Sequence, residues 1–141
     1  MQAASGGSPP RLVGPDTDPR RWRMLGLVCV GMLLSLSAWM TATAVGPELQ
    51  ARWDLSSGQV GLLTTTVQIG FVGGTALAAV LNLADIMPAR WLFAGSAVLA
   101  AVVNATLLAV PGYRTALLAR FLTGIFLAGV YPPGMKMIST W

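Results

Sequence analysis

Arg120 stands inside the run TALLARFLTGIFLAGVY (115–131), a cation with apolar neighbours on both sides. A guanidinium offers a fork of N–H donors that suits a carboxylate or another planar anion. If it is unpaired at that depth of a membrane, insertion scales put its cost at roughly 2.5–3.5 kcal/mol. No acid lies within the apolar runs, so three partners are open: Glu48 at the rim of the first run, an acid elsewhere in the protein, or an anionic substrate. A second charged group lies in LNLADIMPARWLF (81–93), where Asp85 and Arg90 flank Pro88. That aspartate can form an ion pair, sit in a solvated turn, or cap the positive end of a helix dipole. The chain has no histidine and a single cysteine, Cys29, in an apolar run. With no acid cluster either, metal binding and nucleophilic catalysis lack their usual groups. The expectation is therefore a protein that is not an enzyme, with no metal, no cofactor and no nucleic-acid partner.

The composition sets the surroundings of these groups. Hydrophobic residues make up 55% of the chain and charged residues 10%, against about 25% charged in ordinary soluble domains. The pattern predicts an all-α membrane protein with four transmembrane helices at about 24–46, 59–83, 91–110 and 115–139. Each is near the ~20 residues that cross ~30 Å of hydrocarbon as a helix, and none shows the alternation of a membrane strand. Residues 1–21, rich in Gly, Pro and Ser, read as a disordered cytoplasmic tail, which leaves 22–141 as the membrane domain. The first run is too long for the core of a cleaved signal peptide and reads as a retained helix. Pro47 should stop that helix, and Ser56 or Ser57 should cap the second. PGYRT (111–115) is a tight turn.

Arg11, Arg20, Arg21, Arg23, Arg90 and Lys136 fall on one side of such a bundle, and Arg52 and Arg114 on the other. This asymmetry predicts that both ends of the chain face the cytoplasm, which makes 81–93 a cytoplasmic loop.

That loop resembles the signature loop between helices 2 and 3 of the major facilitator superfamily. The family pattern is Gly-x-Leu-Ala-Asp-Arg-x-Gly-Arg-(Arg/Lys)-x-x-Leu. Leu83, Ala84, Asp85 and Arg90 match it, while Leu81, Ile86, Pro88 and Ala89 replace the first glycine, the first arginine, the second glycine and a basic residue. RFLTG (120–124) is similar to the Arg-x-x-x-Gly element of helix 4, through Arg120 and Gly124. The resemblance implies the first part of a twelve-helix fold built from inverted three-helix repeats, with the chain an N-terminal fragment. It further implies a secondary active transporter of a small solute, working by alternating access in the lipid bilayer of a bacterial-type inner (plasma) membrane, with the remaining helices of the same transporter as partners. The loop aspartate would then latch the cytoplasmic gate, and Arg120 would serve coupling, structure or substrate binding.

Polar stripes suggest which faces meet the cavity. Trp39, Thr43 and Tyr131 on the first and fourth spans are candidate cavity-lining residues, as is Gln68, a mid-membrane amide that needs a partner. Ser and Thr can instead bond their own helix carbonyls. Gly70, Gly74 and Ala78, and likewise Ala38, Ala42 and Gly46, form small-xxx-small runs suited to close helix packing. Pro132-Pro133 should break or kink the fourth span. Two other functions fit four spans: a small dimeric multidrug-type exporter, whose buried glutamate in the first helix is missing here, and a non-transporting four-helix scaffold.

Overall fold

A computed structural model describes residues 19–109 and 111–139. The expected tail, 1–21, falls mostly on residues 1–18, outside the described residues. The described chain is helical: α1 (Pro19–Trp53), α2 (Ser57–Val80), the single turn α3 (Leu83–Ile86), α4 (Ala89–Ala105) with a 3-10 extension at Thr106–Leu108, α5 (Tyr113–Ala128) and α6 (Tyr131–Ser139). Four helical segments are long and apolar enough to cross a membrane, α5 and α6 counting together as one of them.

α1 corrects one expectation. It runs through Pro47 and ends seven residues later than expected, at Trp53. The proline ring withdraws one N–H from the Thr43 carbonyl, a loss membrane helices tolerate where neighbours re-satisfy the backbone. The true stop is Asp54, whose φ of 50° is left-handed. There the Leu55 N–H donates to the Gln50 carbonyl at 3.1 Å, the six-to-one bond of a Schellman ending with aspartate where glycine is usual. Ser56 then caps α2: its hydroxyl accepts from the Gln59 N–H at 3.3 Å, and the Gln59 side chain accepts from the Ser56 N–H at 2.8 Å. Satisfying both donors fixes the start of the helix.

α2 and α5 lie backbone to backbone. A Cβ built on Gly70 would strike the Phe121 carbonyl, one on Gly74 would stand 2.8 Å from the Ile125 Cα, and one on Gly124 would meet the Val67 carbonyl. Small residues thus set the separation of the two helices, as the spacing suggested. Two apolar clusters fill the bundle. Ala42, Leu49, Leu55, Leu63, Leu107 and Ala116 form one, and Val67, Ala100 and Leu127 form the other.

The fourth span is broken where the prolines predict, although the break precedes them. Gly129 and Val130 close tighter bonds, to the Phe126 and Leu127 carbonyls at 3.0 Å each. Pro132 and Pro133 then occupy the first turn of α6, where a helix does not use their missing N–H groups. Phe93 of α4 anchors α6 to α1: its ring fills the space that a side chain would need at Gly31, 2.8 Å away, and at Gly134, 3.2 Å away.

Candidate functional site

Arg120 is completely buried and lies between the two apolar clusters. Its contacts fall where the clusters meet: Ala38 and Trp39 within one turn before Ala42 on α1, Leu63 of the first cluster one turn before Val67 of the second on α2, and Asn104 between Ala100 and Leu107 on α4 and its extension. The guanidinium donates through Nη1 to the Ala38 carbonyl and to Asn104 Oδ1, both at 2.9 Å. Nη2 donates to the Trp39 carbonyl at 2.7 Å, and Nε reaches the Leu63 carbonyl at 3.4 Å. One side chain therefore joins its own helix to three others.

Glu48, the expected partner that lies within the described residues, is not among these acceptors. Glu48 is exposed at the far end of α1, and every acceptor of Arg120 is a neutral oxygen. Helix carbonyls have a second lone pair free after their own backbone bond, so they can surround a cation without breaking the helices that carry them. Four of the five guanidinium N–H groups are engaged, which leaves one on Nη2. A planar anion gripped by two parallel N–H bonds does not fit this arrangement.

Asn104 is the residue the sequence reading missed. Its Nδ2 donates to Thr41 Oγ1 at 3.1 Å, and that hydroxyl donates to the Ser37 carbonyl at 3.1 Å. Its signal in the sequence is matched depth: Asn104 lies seven positions before Pro111 and Arg120 eight after Gly112, so an antiparallel pair brings them level across the turn.

The other site residues are dispersed. Trp39 is half-buried, with its ring edge-on to Phe71 at 5.2 Å, and Phe71 meets Tyr131 edge-on at 5.9 Å. Phe71, not foreseen, is thus the link in a short aromatic row. Thr43 is exposed. Gln68 is also exposed and makes no hydrogen bond to the described residues, so the external partner expected for it is not among them. Gly124 belongs to the α2–α5 contact rather than to the guanidinium shell. Most hydroxyls bond back to their own helices. Ser35 reaches the Gly31 carbonyl at 2.8 Å, Thr75 the Phe71 carbonyl at 2.8 Å and Thr123 the Ala119 carbonyl at 2.8 Å.

Just beyond the end of α2, Leu83, Ala84 and Asp85 lie in α3. Asn82, at a φ of 50°, redirects the chain from α2 into that turn, a conformation asparagine tolerates better than most residues. Asp85 caps neither α3 nor α4, whose cap positions are Asn82 and Pro88. It faces Lys136 of α6 at 3.9 Å, with both side chains more than half exposed, and forms no ion pair with Arg90. A groove of about 440 Å³ opens at this end between α2, α4 and the α5–α6 break, with Thr75, Asn82, Ser96 and Pro132 among its lining residues. None of Trp39, Thr43, Gln68 and Tyr131 lines it.

No curated protein and no solved structure matches the chain. The family comparison does match, over residues 27–141 and so over all four spans and both motifs. An integral membrane bundle of four apolar helices, with a buried arginine one turn ahead of a packing glycine and a charged turn between its second and third spans, thus belongs to the Major Facilitator Superfamily of transporters.

Proposed function

We propose that the chain forms part of a secondary active transporter that moves a small solute across the plasma membrane, of the bacterial inner type, by alternating access. The family match carries this reading. In it, both ends of the chain are cytoplasmic, supported by the excess of Arg and Lys on that side. The exposed apolar faces, which include Leu33, Leu34, Leu62 and Val72, meet lipid and the remaining helices of the same transporter. Trp39, Thr43, Gln68 and Tyr131 border the solute path. Arg120 serves as a structural knot within the half-molecule rather than as an anion clamp, because its donors are already engaged. Asp85 and Arg90, with Leu83 and Ala84 as the scaffold of the turn, act in the cytoplasmic gate.

The test is uptake by the full-length protein in proteoliposomes under an imposed proton or sodium gradient, screened over a panel of labelled solutes. Gradient-dependent accumulation of at least one solute, slowed at least roughly tenfold by Asp85→Asn, is expected; a tenfold change corresponds to about 1.4 kcal/mol in the barrier or in the balance of states. Full transport by Asp85→Asn would reduce the loop to a solvated turn. Accumulation that ignores every gradient would contradict secondary active transport.

A further inference from the structure

Among the described residues, Asn104 is the only side chain bonded to Arg120; every other acceptor is a backbone carbonyl. Carbonyls on α1 and α2 are fixed in direction by their helices, so they cannot choose between the rotations open to a guanidinium on a long, flexible side chain. The amide can. A guanidinium only donates, so Asn104 must turn its Oδ1 toward Arg120, and its Nδ2 is then obliged to face α1. There Thr41 takes it: the hydroxyl accepts from Nδ2 and passes its own hydrogen to the Ser37 carbonyl. Every donor and acceptor in this row has one permitted sense. The row Arg120, Asn104, Thr41, Ser37 ties α5 to α4 and α4 to α1 at the same depth. An amide here also leaves the cation without a counter-charge, which a carboxylate at the same position would cancel.

We propose that Asn104 is the positioning residue of the buried arginine. It locks Nη1 in place, through a hydrogen-bond row anchored on Thr41, and so decides which N–H of Nη2 stays free. The proposal rests on the reading of Arg120 as a structural knot, and it requires no transported solute to be known.

Nitrogen-15 NMR of the arginine side chains in the detergent-solubilised full-length protein tests it, with the Arg120 signals assigned by their loss in Arg120→Lys. In the wild type, Nη1 and Nη2 are held by different partners, so two separate Nη signals are expected. Asn104→Ala should merge or broaden them, as a guanidinium free to rotate does. Asn104→Asp, which keeps the acceptor, should preserve two signals, and Thr41→Val should broaden them less than Asn104→Ala. Melting temperatures supply a second arm: Asn104→Ala should lower the midpoint in the wild-type background but not in Arg120→Met, since coupled residues are not additive. Two unchanged Nη signals in Asn104→Ala, or an equal drop in midpoint in both backgrounds, would show Asn104 to be ordinary packing and overturn the proposal. If Asn104→Ala does not fold, merged signals in Asn104→Asp would overturn it equally. Because no arm reads transport, failure here is distinct from failure of the transport reading.

Discussion

Two charged groups of this bundle have surroundings opposite in kind. Arg120 is sealed between apolar clusters and bonded to three neighbouring helices, and no acid among the described residues touches it. Asp85 lies in a one-turn helix between α2 and α4, and its partner, Lys136, stands 3.9 Å away with both groups open to solvent. Exposed pairs of this type contribute only about 0–1 kcal/mol. A buried hydrogen-bonded charge has no water to fall back on, so its partners matter far more. Burial therefore separates a group bonded to three neighbouring helices from one whose contact is open to solvent. A gate needs the second kind, because a contact that must break in every cycle cannot also be a main source of stability.

The comparison breaks most readily at Arg120. Arg120→Ala removes four hydrogen bonds and leaves a void between the clusters, and a loss of roughly 3 kcal/mol or more is expected. It should appear as lower yield and a lower unfolding midpoint in detergent. Arg120→Lys keeps the charge but concentrates its donors at one point, which cannot serve Leu63 and α1 together. An intermediate loss is expected in the same melting experiment.

Next in size comes the glycine contact that sets the α2–α5 distance. Gly124→Ala places a methyl group against the Val67 carbonyl and 2.8 Å from the Phe71 nitrogen. The obstacle is backbone, so the helices must separate, at an expected cost of about 1–3 kcal/mol. Gly73→Ala, where nothing lies within 4 Å of the added carbon, is the matched control and should melt like the wild type.

The smallest stability effects belong to the exposed pair. Asp85→Asn and Lys136→Ala should each shift stability by less than about 1 kcal/mol. Near-wild-type melting of Asp85→Asn combined with slowed transport would sharpen the contrast with Arg120. A large drop in its midpoint would erase it.

Much of this arrangement was legible in the chain. Four apolar runs, separated by a capped turn at Ser56, the charged turn at 81–93 and a tight turn at Pro111–Gly112, are enough for four antiparallel helices, since length and hydropathy alone dictate them. Gly70 and Gly74 announced a close contact by their spacing, whereas Gly124, expected beside the charge of Arg120, lies in that same contact. The end of α1 was less legible, because a left-handed aspartate gives the signal that glycine usually gives, and Pro47 gave a stronger but misleading one. The partners of Arg120 were the least legible feature. Charge was sought as the partner of charge, whereas the structure answers the cation with carbonyl oxygens, which every residue carries and which leave no mark in a sequence. Only Asn104 and Thr41 left such a mark, and only the matched depths of two antiparallel spans make it readable. For Trp39, Thr43, Gln68 and Tyr131, helical spacing placed each on a polar stripe of its own span but did not say what that stripe meets.

The claim that matters most is that Arg120 holds the bundle together from inside. Thermal unfolding of the full-length Arg120→Ala and Asp85→Asn variants, side by side in one detergent and without added solute, tests it most directly. The expected result is a clearly lowered midpoint for Arg120→Ala, with Asp85→Asn indistinguishable from the wild type. If Arg120→Ala melts with the wild type, the guanidinium and its four bonds do not hold the helices together.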